Sequence, residues 1–181
     1  MTQTPKAGES RSNTHTIQVI VETPKESRIK FKYEPSARGY CVDRILPQGL
    51  RFPFNFGFIP DTKAADGDPT DVVLILDEPL FPGCQVSCRI LGVLQAEQTE
   101  GGQTLRNDRI LAICVKDRGA PQTLEDVSRN FLADVERFFV TYHQAEGNRF
   151  AVIRNAGEQD AIELVRSTAS KPDTSASSDL E

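Results

Sequence analysis

Apolar residues in the first two-thirds of the chain come in short runs rich in Val, Ile, Phe and Tyr, and turn-forming or charged residues bound most of these runs. This pattern is typical of β-strands. It predicts seven strands, at 17–22, 28–34, 40–46, 51–59, 71–76, 84–94 and 109–115. We therefore expect this part of the chain to be built from sheet.

The last third of the chain has a helical period. Thr123 followed by Asp126 is typical of a helix-capping pair, and apolar residues then recur at three- and four-residue steps until Gly147. A strand at 149–154 and a helix at about 157–167 complete the prediction. Short strands followed by helices favour an α+β domain built on a small barrel, because a closed sheet leaves no edge exposed to aggregation.

The two ends differ from the rest in composition. Residues 1–14 and 168–181 of the 181-residue chain are polar and predict disordered tails around a single domain at 15–167. The formal net charge of -5 argues against a nucleic-acid partner. No apolar run approaches the roughly 20 residues that span a bilayer, and the first residues lack the apolar core of a secretory signal. We expect a cytoplasmic protein with no membrane partner.

Four cysteines, Cys41, Cys84, Cys88 and Cys114, are spread along the chain. Cys84 and Cys88 share one face of a predicted strand, but residues four apart on a strand are separated by roughly 13 Å. That distance is too great for a disulfide or a shared metal ion. With two histidines in the chain, a zinc site is improbable. We interpret the cysteines as buried or half-buried thiols in a reducing compartment.

The stretch ADGDPTDVVLIL, residues 65–76, places Asp66, Asp68 and Asp71 directly before a buried strand. Asp, Gly and Pro form turns, so a surface turn is one interpretation. However, two carboxylates 5 Å apart repel by roughly 3 kcal/mol at an effective dielectric near 20, so converging carboxylates recruit a cation or raise one pKa. The glycine and glutamate positions of a calcium-binding EF-hand loop are not matched. Oxygen ligands then favour magnesium, manganese or calcium.

Basic residues on neighbouring predicted strands are candidate phosphate ligands. Strand alternation places Lys30 and Lys32 on one face and Phe31 on the other, while Arg44 lies on the next strand. A solvated strand face is the alternative interpretation of the two lysines. The stretch GGQTLR does not form a phosphate-binding loop, because it follows no apolar strand into a helix and lacks the Gly-Lys-Ser/Thr ending.

Taken together, these segments resemble the soluble family I inorganic pyrophosphatases of bacterial type over about residues 17–167. The similarity is carried, in order, by VIVETPKESRIKFKY, VDRIL, FPFNFGFIPDT, DGDPTDVV, FPGCQVSCRILGVL and FFVTY. It implies a five-stranded OB-like barrel with flanking C-terminal helices, magnesium as cofactor, hydrolysis of pyrophosphate to two phosphates, and a homo-oligomer, usually a hexamer.

The resemblance also implies roles for single residues. Asp66 and Asp71 correspond to metal ligands, and Asp68 to the carboxylate that orients or deprotonates the attacking water. Glu22 corresponds to an acid that supports the water and metal network. The remaining roles fall on substrate-binding residues, Lys30, Arg44, Tyr142 and Arg109, and on Asp108 as a metal ligand in place of a family aspartate at Asn107.

Several positions depart from the family pattern. Lys32 stands where the family pattern has a glutamate, and Phe52 and Phe56 stand where it has tyrosines. Gln98 and Asn107 stand where it has aspartates. His143 stands where a phosphate-binding lysine is expected. Removing carboxylates and adding a lysine lowers the expected metal occupancy. The first hypothesis is therefore a divergent magnesium-dependent pyrophosphatase with slow turnover. The alternatives are a catalytically degenerate module that binds a phosphorylated ligand and a hydrolase of another phosphoanhydride.

Overall fold

The computed structural model describes residues 15–170. Within them the chain forms nine strands, a short 3₁₀ turn and two α-helices. The strands are β1 (Thr16–Thr23), β2 (Ile29–Glu34), β3 (Gly39–Ile45), β4 (Asn55–Phe58), β5 (Asp71–Ile75), β6 (Gln85–Glu100), β7 (Gln103–Arg106), β8 (Arg109–Cys114) and β9 (Arg149–Gly157). The helices are α1 (Arg129–Gln144) and α2 (Glu158–Thr168), and neither is long and apolar enough to cross a lipid bilayer.

Five strands form a closed ring. β1 pairs with β4 and with β6, β4 pairs with β5, and β8 joins β5 to β6. The β5–β8 pair is parallel and the other four pairs are antiparallel. This ring confirms the predicted five-stranded barrel and, with α1 and α2 after it, the α+β class.

Two apolar clusters lie on opposite faces of the ring. All five strands or their ends supply the inner cluster, which includes Val19, Val72 and Ile110, and α2 adds Ile162 to it. The outer cluster packs α1 on the barrel through aromatic side chains, among them Phe52 and Phe138, whose ring centroids are 4.7 Å apart. Strand alternation explains the division, because Val72 and Leu74 of β5 point inward and Val73 points outward.

The β2–β3 hairpin is a separate two-stranded sheet. Side chains of β1 attach it to the barrel: Phe31 N donates to Thr23 Oγ1 at 3.1 Å, and Tyr33 N donates to Glu22 Oε1 at 3.0 Å. The hairpin therefore extends from the barrel wall without sharing its backbone ladder.

Some element boundaries differ from prediction. The predicted capping pair belongs to the 3₁₀ turn, where Asp126 Oδ2 accepts from Thr123 N at 2.9 Å, and α1 begins only at Arg129. In the segment predicted as a strand at 51–59, only Asn55–Phe58 is extended and paired. β6 continues to Glu100 and turns back into β7, which was not predicted, through Gly101 and Gly102 with φ of 55° and 82°.

The predicted tails lie mostly outside the described residues. Residues 1–14 and 171–181 are not described. Thr168 ends α2, Ala169 forms a β-bridge with Thr62, and Ser170 N donates to Asp61 O at 2.8 Å. Residues 168–170 therefore contact the barrel side of the domain through Thr62 and Asp61.

Candidate active site

A cavity of about 700 Å³ opens between the barrel, the β2–β3 hairpin, the β6–β7 hairpin and the end of α1. It brings together nearly all of the predicted site residues. These are Glu22, Lys30, Arg44, Asp66, Asp68, Asp71, Arg109 and Tyr142, together with the departing residues Lys32, Phe52, Phe56, Gln98, Asn107 and His143. Asp108 is the one predicted site residue that does not line it.

The acidic wall is the loop that precedes β5. Asp68 N donates to Asp66 Oδ1 at 3.1 Å, and Ala64 N donates to Asp68 O at 2.8 Å. Gly67 has a φ of +91°, which a side chain at this position would strain. Buried Thr70 N donates to Thr62 Oγ1 at 2.9 Å and fixes the end of the loop. The same loop therefore both forms the turn and positions the carboxylates.

Asp71, the first residue of β5, is paired with a buried cation. Its Oδ2 lies 3.0 Å from Arg109 Nη1, the first residue of the neighbouring strand β8. Burial raises the pKa of Asp71; the charges of Arg109 and Lys30 lower it, and Asp66 and Asp68 raise it again. The net shift is upward. Negative charge at this carboxyl group is therefore incompletely compensated by the protein alone.

Asp68 is paired with the lysine that departs from the family pattern. Lys32 Nζ lies 3.2 Å and 3.3 Å from the two carboxylate oxygens of Asp68. Both side chains are accessible, with 47% of Lys32 and 60% of Asp68 exposed. An ion pair this exposed contributes at most about 1 kcal/mol, so water and ligands compete for it readily.

The basic wall consists of Lys30 and Arg44, which are cross-strand partners in the hairpin. Asp43 joins them, with its Oδ2 3.3 Å from Lys30 Nζ and 3.0 Å from Arg44 Nε. Burial raises the pKa of Asp43, but the two cations outweigh burial and hold it below its ordinary value. Arg44 also pairs with Glu146 beyond α1. Sequence reasoning missed Asp43 and Glu146; the adjacent letters of VDR were a signal for Asp43.

Lys30 is charged although it is largely buried. Burial lowers its pKa, while Tyr142, Asp71 and Asp43 raise it, and the net shift is upward. The ring of Tyr142 faces both cations, with its centroid 6.0 Å from Lys30 Nζ and 5.5 Å from Arg44 Cζ. The cavity therefore presents two fixed positive charges opposite the aspartates.

Glu22, at the end of β1, lies between the two walls. Its Oε1 accepts the hydrogen bond from Tyr33 N at 3.0 Å, and the side chain lines the cavity. Burial raises its pKa more than this hydrogen bond and the two nearby lysines lower it. Glu22 thus joins the hairpin to the acidic side of the site.

A neutral wall stands where the sequence resemblance implies aspartates. Asn107 Nδ2 donates to Gln98 Oε1, and Asn107 Oδ1 accepts from the buried guanidinium of Arg109. The guanidinium carbon lies 5.1 Å from the ring centroid of Phe139. Asp108 points away: its carboxylate accepts from Ala96 N at 2.9 Å and pairs with Arg106 at 2.8 Å. At this side of the cavity the two amides and Arg109 Nη1 pair with one another, while the buried Arg109 Nε has no partner among residues 15–170.

Two buried polar side chains from α1 face the cavity without a partner among residues 15–170. They are Tyr142, through its hydroxyl, and His143, through both ring nitrogens. The imidazole stacks on Phe150 with centroids 4.8 Å apart and planes at 3°. Burial, followed by the charges of Arg109, Lys30 and Arg44, lowers the pKa of His143 to about 3. At neutral pH it is an uncharged donor and acceptor, unlike the lysine expected there.

This pKa predicts acid sensitivity. His143 is neutral in the fold down to about pH 3, whereas its unfolded value is near 6.5, so protons bind the unfolded chain first. Its contribution to stability is present above pH 6.5 and is lost as pH falls, by about 2 kcal/mol at pH 5. We expect His143→Gln to flatten the pH dependence of urea-unfolding free energy between pH 7 and 5. His15→Gln is the control, and equal slopes in both variants would contradict the assignment.

The carboxylates of the acidic wall suit a hard divalent cation in their chemistry. All donors are oxygens, which such ions prefer, and the pKa of Asp71 is raised chiefly by burial. In the described part of the chain, no three acidic, histidine or cysteine side chains are close enough to enclose an ion. Lys32 and Arg109 hold Asp68 and Asp71 instead. The carboxylates therefore suit a divalent metal ion, but Lys32 and Arg109 compete with the ion for them.

The chain is thus a five-stranded barrel protein with acidic and basic side chains lining one cavity. The family model described as inorganic pyrophosphatase matches residues 19–172. The chain belongs to the inorganic pyrophosphatase family, which confirms the resemblance seen in the sequence.

Individual relatives agree with this membership. An inorganic pyrophosphatase of Methanosarcina acetivorans is 34% identical over 155 residues, which cover 84% of this chain and 90% of the relative. The crystal structure of the Thermus thermophilus inorganic pyrophosphatase superposes with a TM-score of 0.78 at 27% identity, covering 91% of this chain and 94% of that one. The Neisseria gonorrhoeae structure gives 0.77 at 28% identity, covering 84% and 88%.

Proposed function

We propose that this chain hydrolyses inorganic pyrophosphate to two phosphates with Mg²⁺ as cofactor. The observation that carries the proposal is the opposition of Asp66, Asp68 and Asp71 to Lys30 and Arg44 across one cavity. Cations of the basic wall bind the phosphate oxygens, and acidic groups opposite them are placed for the attacking water.

Each residue has a proposed part. Lys30 and Arg44 bind and orient one phosphate and stabilise the charge that develops on it as it leaves. Asp68, an exposed carboxylate of the wall, accepts the proton of the attacking water. Tyr142 donates its free hydroxyl to a phosphate oxygen, and neutral His143 lies beside it. Arg109 holds Asp71 in place from the barrel side.

Asp66 and Asp71, with Glu22 nearby, would hold the metal ion. When bound, a divalent cation lowers the pKa of a coordinated water and neutralises phosphate charge. We assign Asp108 no direct part, because it lies outside the cavity and is paired with Arg106. A single carboxylate wall, with amides at Gln98 and Asn107, is consistent with fewer ions than a fully acidic site would bind.

The test is phosphate release from pyrophosphate by the full chain across a magnesium titration, with chelator as the zero point. We expect release that rises with magnesium and is absent without it. The degenerate binding module is the alternative, and family membership does not favour it. It would give thermal protection by pyrophosphate with no phosphate released. If pyrophosphate is not hydrolysed and does not protect the fold against heat, both functions are excluded.

Lys32 is expected to weaken metal binding. Lys32→Glu exchanges the ammonium beside Asp68 for a carboxylate, a change of two charge units next to the donor set. We expect Mg²⁺ and Mn²⁺ to bind at least about tenfold more tightly, because each charge acts over a few ångströms. Isothermal titration calorimetry measures this directly. Lys116→Glu, an exposed lysine outside the cavity, is the control for net charge; equal affinities in the two variants would contradict the role given to Lys32.

The sequence-based expectations of a cytoplasmic location, a homo-oligomer, usually a hexamer in this family, and no nucleic-acid or membrane partner remain part of the proposal. The net charge of -5 supports the absence of a nucleic-acid partner. Sedimentation equilibrium of the full chain tests the assembly state.

A further inference from the structure

Two cysteines that are 26 positions apart in sequence are direct neighbours in the barrel. Cys88 of β6 and Cys114, the last residue of β8, are cross-strand partners in the antiparallel β6–β8 pair. Both side chains belong to the inner apolar cluster of the ring and therefore point to the same side. Both are free thiols in the structure.

The hydrogen bonds around this pair show which kind of cross-strand pair it is. Val115 N donates to Ser87 O at 3.0 Å, so Ser87 and Val115 form a hydrogen-bonded pair. Because the two kinds alternate along an antiparallel ladder, Cys88 and Cys114 form a non-hydrogen-bonded pair, with Cα atoms about 4.5 Å apart. Disulfides join Cα atoms separated by about 4.4–6.8 Å. A disulfide therefore fits here without moving the backbone.

The two thiols differ in access. Cys114 is partly exposed and lines a second cavity of about 400 Å³, together with Arg89 and Arg118. Cys88 is fully buried. Burial, followed by the proximity of Cys114, raises the pKa of Cys88 to about 12. A small oxidant in this cavity therefore reaches Cys114 first, and Cys88 is the thiol behind it.

We propose that Cys88 and Cys114 form a reversible cross-strand disulfide when the protein meets a hydroperoxide. The Cys114 sulfur attacks the peroxide, the O–O bond breaks, and a sulfenic acid and one molecule of water or alcohol result. The Cys88 sulfur then attacks the sulfenic sulfur and water leaves. Two thiols are oxidised by two electrons, and one peroxide is reduced. A thiol reductant reverses the bond.

The crosslink would close a defined part of the fold. The 25 residues between the two cysteines include Gln98, Asn107 and Arg109, which line the active-site cavity. Cys114 itself is at the other end of β8 from Arg109, roughly 17 Å along the strand. We therefore expect the disulfide to stabilise the ring while leaving the cavity open. This inference does not depend on the proposed hydrolysis.

The experiment uses the full chain with Cys41→Ser, which removes the exposed cysteine of β3 and its intermolecular disulfides. Samples treated with hydrogen peroxide or with a thiol reductant are unfolded, alkylated and digested for mass spectrometry. We expect peroxide to remove two alkylation sites and to yield a peptide linked through Cys88 and Cys114. The melting temperature should rise by about 5–10 °C and return on reduction.

Matched variants fix the assignment. Adding Cys114→Ala should abolish both the linked peptide and the temperature shift, whereas adding Cys84→Ala should leave both in place. Peroxide treatment that leaves Cys88 and Cys114 open to alkylation overturns the proposal. A disulfide through Cys84, or Cys114 oxidised to sulfinic acid with Cys88 still free, overturns it as well.

Discussion

Asp68→Asn is expected to slow phosphate release by about 100-fold or more and to leave the free energy of unfolding within about 1 kcal/mol of the wild type. Loss of a proton acceptor next to the attacking water removes general-base assistance, while asparagine preserves the shape of the side chain. The fold is expected to survive because the ion pair of Asp68 with Lys32 is exposed. Initial rates at saturating magnesium, together with urea unfolding, provide both measurements.

The matched control is Asp77→Asn. Asp77 is also exposed and also pairs with a lysine, Lys25, at 3.4 Å, but it does not line the cavity. We expect wild-type rates and stability from this control. An Asp68→Asn rate within threefold of the Asp77→Asn rate would show that another group accepts the proton.

Asp71→Asn is expected to abolish turnover, with a loss of about 100-fold or more, without destabilising the metal-free protein. The upward pKa shift of Asp71 has burial as its largest cause, so its ionised form carries a net cost in the fold. That cost is absent at acidic pH and develops as pH rises through the folded pKa, so at pH 7 the neutral amide avoids it. Stability and function conflict at this residue.

Whether Asp71→Asn stabilises or destabilises the protein depends on how Arg109 is satisfied without its partner. A buried cation that loses its partner normally destabilises by several kcal/mol. Here the guanidinium keeps carbonyl acceptors at Asn107 O, 3.1 Å, and Asp108 O, 3.2 Å, as well as the Asn107 side chain. We therefore expect the melting temperature of Asp71→Asn to equal or exceed that of the wild type in chelator, and magnesium to stabilise only the wild type. A melting temperature lowered by 5 °C or more would show that the Arg109–Asp71 pair outweighs burial.

The sequence predicted the barrel because its strands are β-branched and bounded by turns, and because the order of six segments matched one family. It missed β7 although Gly101–Gly102 lies between two segments that form a hairpin. The residues of β7 are all exposed, so no apolar periodicity marked them as a strand. The prediction that Thr123 and Asp126 begin the long helix was wrong, because the same capping hydrogen bonds form in a 3₁₀ turn.

Residue spacing alone predicted the part of the candidate site that is local in sequence, whereas distant lining residues such as Lys30 and Tyr142 were predicted through the family resemblance. Asp66, Asp68 and Asp71 are neighbours in sequence, and their shared wall follows from one loop. The pairing of Arg109 with Asp71 depends on the parallel register of β8 beside β5, which sequence periodicity does not encode. The orientation of Asp108 could not be predicted either, since it lies in the short link between β7 and β8 and contacts Ala96 and Arg106 there.

The β2–β3 hairpin shares no backbone ladder with the barrel. Its charges at Lys30, Lys32 and Arg44 therefore lie on a two-stranded sheet outside the barrel's backbone ladder, which side chains of β1 hold in place. Substitution on this hairpin alters the electrostatic character of the cavity at little expense to the barrel. Anion and cation affinity can thus be altered through one hairpin while the barrel sequence stays under the constraint of folding.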